Sequence, residues 1–170
     1  ALLCVGNFRS GTGFAWSFIA EEYAEMARRA EGRGMDAVVT YGTVDTVHPA
    51  LEGVRVEERS IDGSLATFRF LRENRVRTVL LSDRPSWDPT YLLWRLAGVR
   101  RIVTYTHTAG GDTEPHGGRR WLKHARQRMP GTVADAVVVV SDFVARRVRD
   151  VGMVPASRVH RVWNTTAVHA

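Results

Sequence analysis

The sequence predicts an α/β domain: a Rossmann-like, doubly wound, mainly parallel sheet of about seven strands with helices on both faces. Three observations lead there. Short apolar runs alternate with amphipathic stretches along the whole chain. Runs such as Val79-Leu80-Leu81 and Val137 to Val140 are apolar without alternation, the pattern of strands buried on both faces. No internal repeat, low-complexity tract or linker interrupts the 170 residues, so the alternation belongs to a single domain over 1–170.

Each element has its own signal. Residues 1–5 form the first strand and enter the turn GNFRSGTGF. A helix follows at 14–30, where Phe18, Ala20, Tyr23, Ala24, Ala27 and Ala30 recur at mostly three- and four-residue steps before Gly32 and Gly34 stop it. Strands at 37–41 and 54–57 come next. After Asp62-Gly63 a helix covers 64–74, then a strand covers 78–82, and Asp88 caps a helix at 89–96 with proline in its first turn. A strand at 101–105 precedes a basic helix at 118–129, ended by Pro130-Gly131. The strand at 136–140 runs into Ser141, the N-cap of a helix that reaches Gly152, and a last strand covers 159–163.

Composition narrows the function. Lys and Arg number 24 against 18 Asp and Glu, a formal charge of +6, and the isoelectric point is near 10.4. A duplex-binding face needs clustered cations, yet the arginines are spread from Arg28-Arg29 to Arg146-Arg147 and Lys123 is the sole lysine. Nucleic acid is therefore not an expected partner. The exception is the basic helix around Trp121, Lys123, His124, Arg126 and Arg128, which suits an anionic membrane surface or a phosphorylated acceptor. No apolar run reaches the length of a spanning helix, and the opening ALLCVGNF lacks the pattern of a signal peptide. Cys4 alone makes no internal disulfide and fits a reducing compartment. The expected location is the cytoplasm, peripheral to the inner membrane face through the basic helix. Without an initiator Met, and with strand character already at Leu2, the chain reads as a piece trimmed at both ends.

In an open parallel sheet, ligands bind outside the carboxyl ends of the strands, where the strand order reverses. The first such loop carries Arg9, Ser10, Gly11, Thr12 and Gly13, whose glycines admit an anion to backbone N–H groups at a helix start. It lacks the Lys of the nucleoside-triphosphatase loop, and Trp16 stands where the dinucleotide fingerprint needs its third glycine. The alternative is a plain Gly-rich strand-to-helix turn. His107 stands at the carboxyl end of a central strand, at the functional edge, as a catalytic candidate or as a structurally satisfied histidine. His107, Asp112, Glu114 and His116 carry ligand atoms, but no helix or strand holds them at fixed spacing, so no metal is expected. Asp83 and Arg84 follow the strand TVLLS, where the carboxylate acts as a base, orients a hydroxyl, or forms a turn with an Asp–Arg ion pair. Trp87, Tyr91 and Trp94 have the spacing of a helix-packing face rather than of a sugar-stacking platform. Cys4 is expected to be a buried, inert thiol. Ser141 lacks the G-x-S-x-G elbow, and capping accounts for it.

The segments RLAGVRRIVTYTH and ADAVVVVSDFVARRVRDVGMVPASRVHRVWNTT, in this order around a basic helix, resemble the amino-terminal half of a GT-B glycosyltransferase of the large retaining family four. Residues 134–141 match the family's late strand and serine, Val154-Pro155 the turn, and Arg158 to Asn164 the last strand and hinge asparagine. The hinge reads Asn164-Thr165-Thr166 rather than Asn-Gly, and Ser10-Gly11-Thr12-Gly13 replaces a Gly-Gly pair. The resemblance implies transfer of a sugar from a nucleotide-sugar to a hydroxyl acceptor with retention. It places Gly11 to Gly13 near the donor diphosphate and acceptor and His107 against the donor sugar; Asp83, Arg84 and Ser141 are separate candidates for orienting the acceptor. No cofactor is expected to be held tightly; the nucleotide-sugar is a co-substrate. The acceptor is a glycan, a lipid-linked molecule or a small molecule. The family's nucleotide-holding carboxyl-terminal domain and its Glu pair seven positions apart are not expected within these residues, so the fragment alone should be inactive. Two other readings compete. VGNFRSGTG also resembles the phosphosulfate-binding loop of sulfotransferases, although 137–164 is unexplained by that likeness. A flavodoxin-like binding module would make the Gly-rich loop structural.

Overall fold

A computed structural model describes residues 1–10, 17–107 and 114–163, apart from the side chain of Asn7. Seven strands form one sheet: β1 (Leu2–Arg9), β2 (Ala37–Thr43), β3 (Val56–Glu58), β4 (Thr78–Ser82), β5 (Arg101–Thr106), β6 (Ala136–Val139) and β7 (Val159–Arg161). Their order is β3-β2-β1-β4-β5-β6-β7, and every pairing is parallel. Helices α1 (Ser17–Glu31), α2 (Leu65–Glu73), α3 (Thr90–Leu96), α4 (Gly117–Arg126) and α5 (Asp142–Asp150) link them, while β2 and β3 are joined by a short 3-10 turn at Pro49–Leu51. The strand order reverses between β1 and β4, which puts the crevice at their carboxyl ends.

Alternation along each strand distributes the core. Leu3, Val5, Val79, Leu81 and Ile102 are buried together with Phe70 and Leu71 of α2 and Tyr91 and Trp94 of α3. Residues on the opposite face, Cys4, Leu80 and Tyr105, join Val39 and Tyr41 and pack with Ile19, Ala20, Tyr23 and Ala24 of α1. Val137 and Val139 pack with Val144 and Ala145 of α5. The unalternating run Val79-Leu80-Leu81 thus divides between two clusters, as a strand covered on both faces must. Tyr23 Oη donates to the Val5 carbonyl at 2.8 Å, which leaves Ser82 Oγ as the donor to Tyr23 Oη at 2.6 Å. One buried hydroxyl therefore ties α1 to both strands of the crevice.

The predicted elements are all present, with shifted ends. β1 does not stop at residue 5. Its ladder with β2 continues through Gly6 opposite Tyr41 and resumes at Arg9 opposite Thr43 after an irregularity. Gly6 is thus a strand residue, where a Cβ would lie 2.8 Å from the Tyr41 ring. β3 and β7 are each three residues long, so β7 ends before Trp163. The start of the first helix at 14–16 lies outside the described residues. Ser141 caps α5 as expected, accepting from the Val144 N–H, and Ser64, expected as the first helical residue, instead caps α2 by accepting from the Thr67 N–H. Asp88 Oδ1 accepts from the Thr90 N–H at 2.9 Å, but Pro89 already has helical angles and α3 begins at Thr90. α4 and α5 end at Arg126 and Asp150, short of Met129 and Gly152.

Candidate functional site

The carboxyl ends of β4 and β5, with the first turns of α1, converge on His107. β5 ends at Thr106, and the next residue, His107, turns its ring inward, leaving the side chain 11% exposed. The ring meets the edge of Tyr105 at 4.2 Å and of Phe18 at 5.1 Å between centroids, both near-perpendicular. Its Nδ1 lies 3.4 Å from Asp83 Oδ2, and its backbone N–H donates to Asp83 Oδ1 at 2.9 Å. Both ring nitrogens are buried, and neither makes a hydrogen bond to a described residue, so the approach of Nδ1 to Asp83 is electrostatic.

A second carboxylate sits behind the ring. Tyr105 Oη donates to Glu22 Oε1 at 2.8 Å, while Glu22 Oε2 is buried with no partner among the described residues. Burial raises the Glu22 carboxyl above the usual range, against the smaller pull of the Tyr105 hydrogen bond and of the positive charge available at His107. The Tyr105 phenol is raised by burial and then by the adjacent Glu22. His107 thus sits between aromatic edges with two carboxylates nearby, a setting that orients an imidazole at the open edge of the sheet.

The other expected residues fall into place around this centre. Arg9 ends β1 and pairs with Asp45 at 3.2 Å on the surface. Ser10 is 5% exposed, and its hydroxyl accepts from the N–H groups of Asp45 at 2.9 Å and Thr46 at 3.2 Å, fastening the loop after β2 to the end of β1. Gly11, Thr12, Gly13 and Asn164 lie outside the described residues. Asp83 and Arg84 do not pair with each other. Arg84 reaches Asp88, four residues on, at 3.7 Å, while the left-handed backbone of Asp83, with φ at 50°, carries its carboxylate back over the end of β5. Ser141 spends its hydroxyl on capping α5, at 3.2 Å from the Val144 N–H. Tyr91 and Trp94 are buried as a packing face, and their polar atoms donate to the carbonyls of Pro85 and Asp62. Trp87 lies before α3 and stacks beneath the Arg126 guanidinium, 4.7 Å from its centroid. Cys4 is fully buried, which pushes its thiol up to about 12 and leaves no reactive thiolate at neutral pH.

Glu22, Tyr105 and Phe18 were not legible as site residues. Phe18 and Tyr105 read as apolar positions, and Glu22 as the solvent face of an amphipathic helix. The available signal was the four-residue step from Phe18 to Glu22, which places both on one helix face. Among the described residues no three His, Cys, Asp or Glu side chains gather to hold a metal; Asp112 is not among them. Nor is any described helix long and apolar enough to cross a membrane.

A separate groove of about 700 Å³ runs between α4 and the end of α5, lined by Arg120, Trp121, His124, Arg128 and Arg149 together with Glu114 and Asp150. No residue of α4 is buried, and Trp121 is 72% exposed.

No curated protein matches this sequence. Among solved structures, the fold matches a glycosyltransferase from Rickettsia africae ESF-5 with a TM-score of 0.61 at 13% identity, over 96% of this chain and 42% of that one. The chain therefore spans less than half the length of that protein. The profile of Glycosyltransferase Family 4 matches residues 20–167. That span takes in His107 and the 137–164 segment that the sulfotransferase likeness leaves unexplained, and it establishes that the chain belongs to Glycosyltransferase Family 4.

Proposed function

We propose that this domain is the amino-terminal, acceptor-side half of a GT-B enzyme that moves a sugar from a nucleotide-sugar to a hydroxyl acceptor with retention of configuration. The observation that carries this reading is the seat of His107: buried, clamped and oriented at the carboxyl end of β5, beside the β1/β4 reversal and inside the family-matched span. In this reading His107 contacts the donor sugar, and the turn with Arg9, Ser10, Gly11, Thr12 and Gly13 lies near the diphosphate and acceptor. Asp83, Arg84 and Ser141 shape the acceptor side, and Asn164 lies at the hinge. Stabilisation of the leaving diphosphate comes mainly from groups of a second domain, so residues 1–170 alone have no useful transferase activity.

The partners proposed are the nucleotide-sugar, a glycan, lipid-linked or small-molecule acceptor, and an anionic membrane surface against α4. Arg119, Arg120, Lys123 and Arg126 give this helix its charge, and exposed Trp121 and Leu122 supply the apolar contact that an interfacial helix needs. The proposed location is the cytoplasm, at the inner face of a membrane.

The test is His107→Ala in the full-length enzyme, assayed for sugar transfer alongside a thermal melt. Transfer falls at least tenfold with the fold intact if the imidazole holds the donor; unchanged kinetics would return His107 to a structural role.

A further inference from the structure

We propose that Asp83 is a positioning residue for His107, its carboxylate holding the neutral imidazole as the Nδ1–H tautomer so that Nε2 is left to accept a hydrogen bond from a sugar hydroxyl. The tautomer follows from this chain's own geometry; the hydroxyl as ligand rests on the site reading above.

Asp83 has φ at 50°, a left-handed conformation that Asp and Asn tolerate better than most residues. Its N–H donates to the Tyr105 carbonyl at 2.8 Å, carrying the β4/β5 ladder one step beyond Ser82 opposite Tyr105. The left-handed turn then brings the carboxylate over the end of β5. There Oδ1 accepts from the His107 N–H at 2.9 Å while Oδ2 lies 3.4 Å from Nδ1 of the same residue. One carboxylate thus addresses both the main chain and the ring of His107.

An ionised carboxylate only accepts hydrogen bonds, so the ring nitrogen facing it carries the hydrogen. Nδ1 lies 3.4 Å from Oδ2 without a hydrogen bond; the ring torsion of histidine is soft, and the bond requires a rotation that aligns the two. A neutral imidazole has a single N–H. Once Nδ1 has it, Nε2 is a lone-pair acceptor. Of the other neighbours, Phe18 and Tyr105 stand near-perpendicular to the ring, and Glu22 gives one carboxylate oxygen, Oε1, to Tyr105 Oη. Nε2 is buried with no described partner. An acceptor nitrogen there selects a hydroxyl, which donates; the opposite tautomer would favour a phosphate or carboxylate oxygen.

Asp83→Asn is a clean probe. Asn keeps the left-handed backbone, its carbonyl oxygen still accepts from the His107 N–H, and its amide places a donor opposite Nδ1. The expected result is an inverted ring, with hydrogen on Nε2, as read in a long-range ¹H–¹⁵N spectrum of the ¹⁵N-histidine-labelled full-length enzyme at a pH where the ring is neutral. The thermal melt should be nearly unchanged. Transfer should fall about 10- to 100-fold, the worth of one directed hydrogen bond, and Asp83→Asn should cost nothing further in a His107→Ala background. A wild-type ring protonated on Nε2, or a tautomer indifferent to Asp83→Asn, would overturn the proposal. So would full transfer activity in Asp83→Asn when His107→Ala is crippled. Failure of the site reading looks different: His107→Ala itself would transfer normally, which removes the hydroxyl ligand whatever the tautomer.

Discussion

Tyr105 Oη, on β5, donates a 2.8 Å hydrogen bond to Oε1 of Glu22, on α1, and thereby joins a helix to a strand two places from β1 across the opening of the sheet. The bond draws an acidic side chain into a half-buried position, where desolvation raises its carboxyl. For an acid with a raised native value, the stabilising contribution is fully present below the unfolded value and is lost as the pH rises through the native one. Glu22→Gln retains an oxygen for Tyr105 and removes the charge. Thermal melts from pH 4 to pH 8 should show wild type and variant together at the acid end, with the variant gaining as the pH rises. A wild type that gains on Glu22→Gln towards neutral pH would contradict this.

Tyr23→Phe should destabilise the domain by about 1–2 kcal/mol, because the Val5 carbonyl and Ser82 Oγ both lose a buried partner. Ser82→Ala should cost a similar amount, and the double variant less than the sum, since both substitutions break one network. Urea unfolding of the three variants measures all of these terms.

Gly6→Val tests whether this glycine serves the strand. A Cβ would stand 2.8 Å from the ring of the buried Tyr41 and 3.0 Å from that of Phe8. Overpacking of this kind costs about 1–3 kcal/mol. The expected result is a lower urea midpoint; an unchanged midpoint would show that the two rings yield freely.

Charge reversal on α4 tests the proposed membrane contact. Arg119→Glu with Arg120→Glu alters exposed side chains only, so the melting temperature should hold. Each basic residue near an anionic bilayer contributes about 1 kcal/mol, and the pair of reversals should weaken sedimentation with phosphatidylserine-containing vesicles at least tenfold. Equal sedimentation of wild type and variant would remove α4 from the interface.

Much of the fold was legible because its signals are local. The seven apolar runs, the cap Ser141, and the stop after α1 depend on residues within a few positions of one another, and the structure has an element at each. The order of segments around His107 also carried the family, which the match over 20–167 establishes. The ends were less legible. β1 reads as finished at Val5 because Gly6 breaks the apolar run, but β2 supplies hydrogen-bond partners as far as Thr43 and pulls the strand on to Arg9.

The site divides along the same line. That His107 follows a central strand was written in its neighbours. That Asp83 is its partner was not, because 24 residues of chain separate them and only the parallel pairing of β4 with β5 brings their ends together. From the sequence alone, Arg84 was the obvious partner for Asp83; the left-handed backbone sends that carboxylate elsewhere and leaves Arg84 to Asp88. Glu22 was hidden for a related reason. Hydrophobic periodicity places an acidic residue of α1 on the water side, and only the docking of the helix against β5 turns it toward Tyr105 and His107. Local spacing determined which elements form and in what order, since propensity, capping and periodicity act over a few residues. Tertiary structure alone decided which polar groups meet, since that depends on strand order and register between segments far apart in the chain.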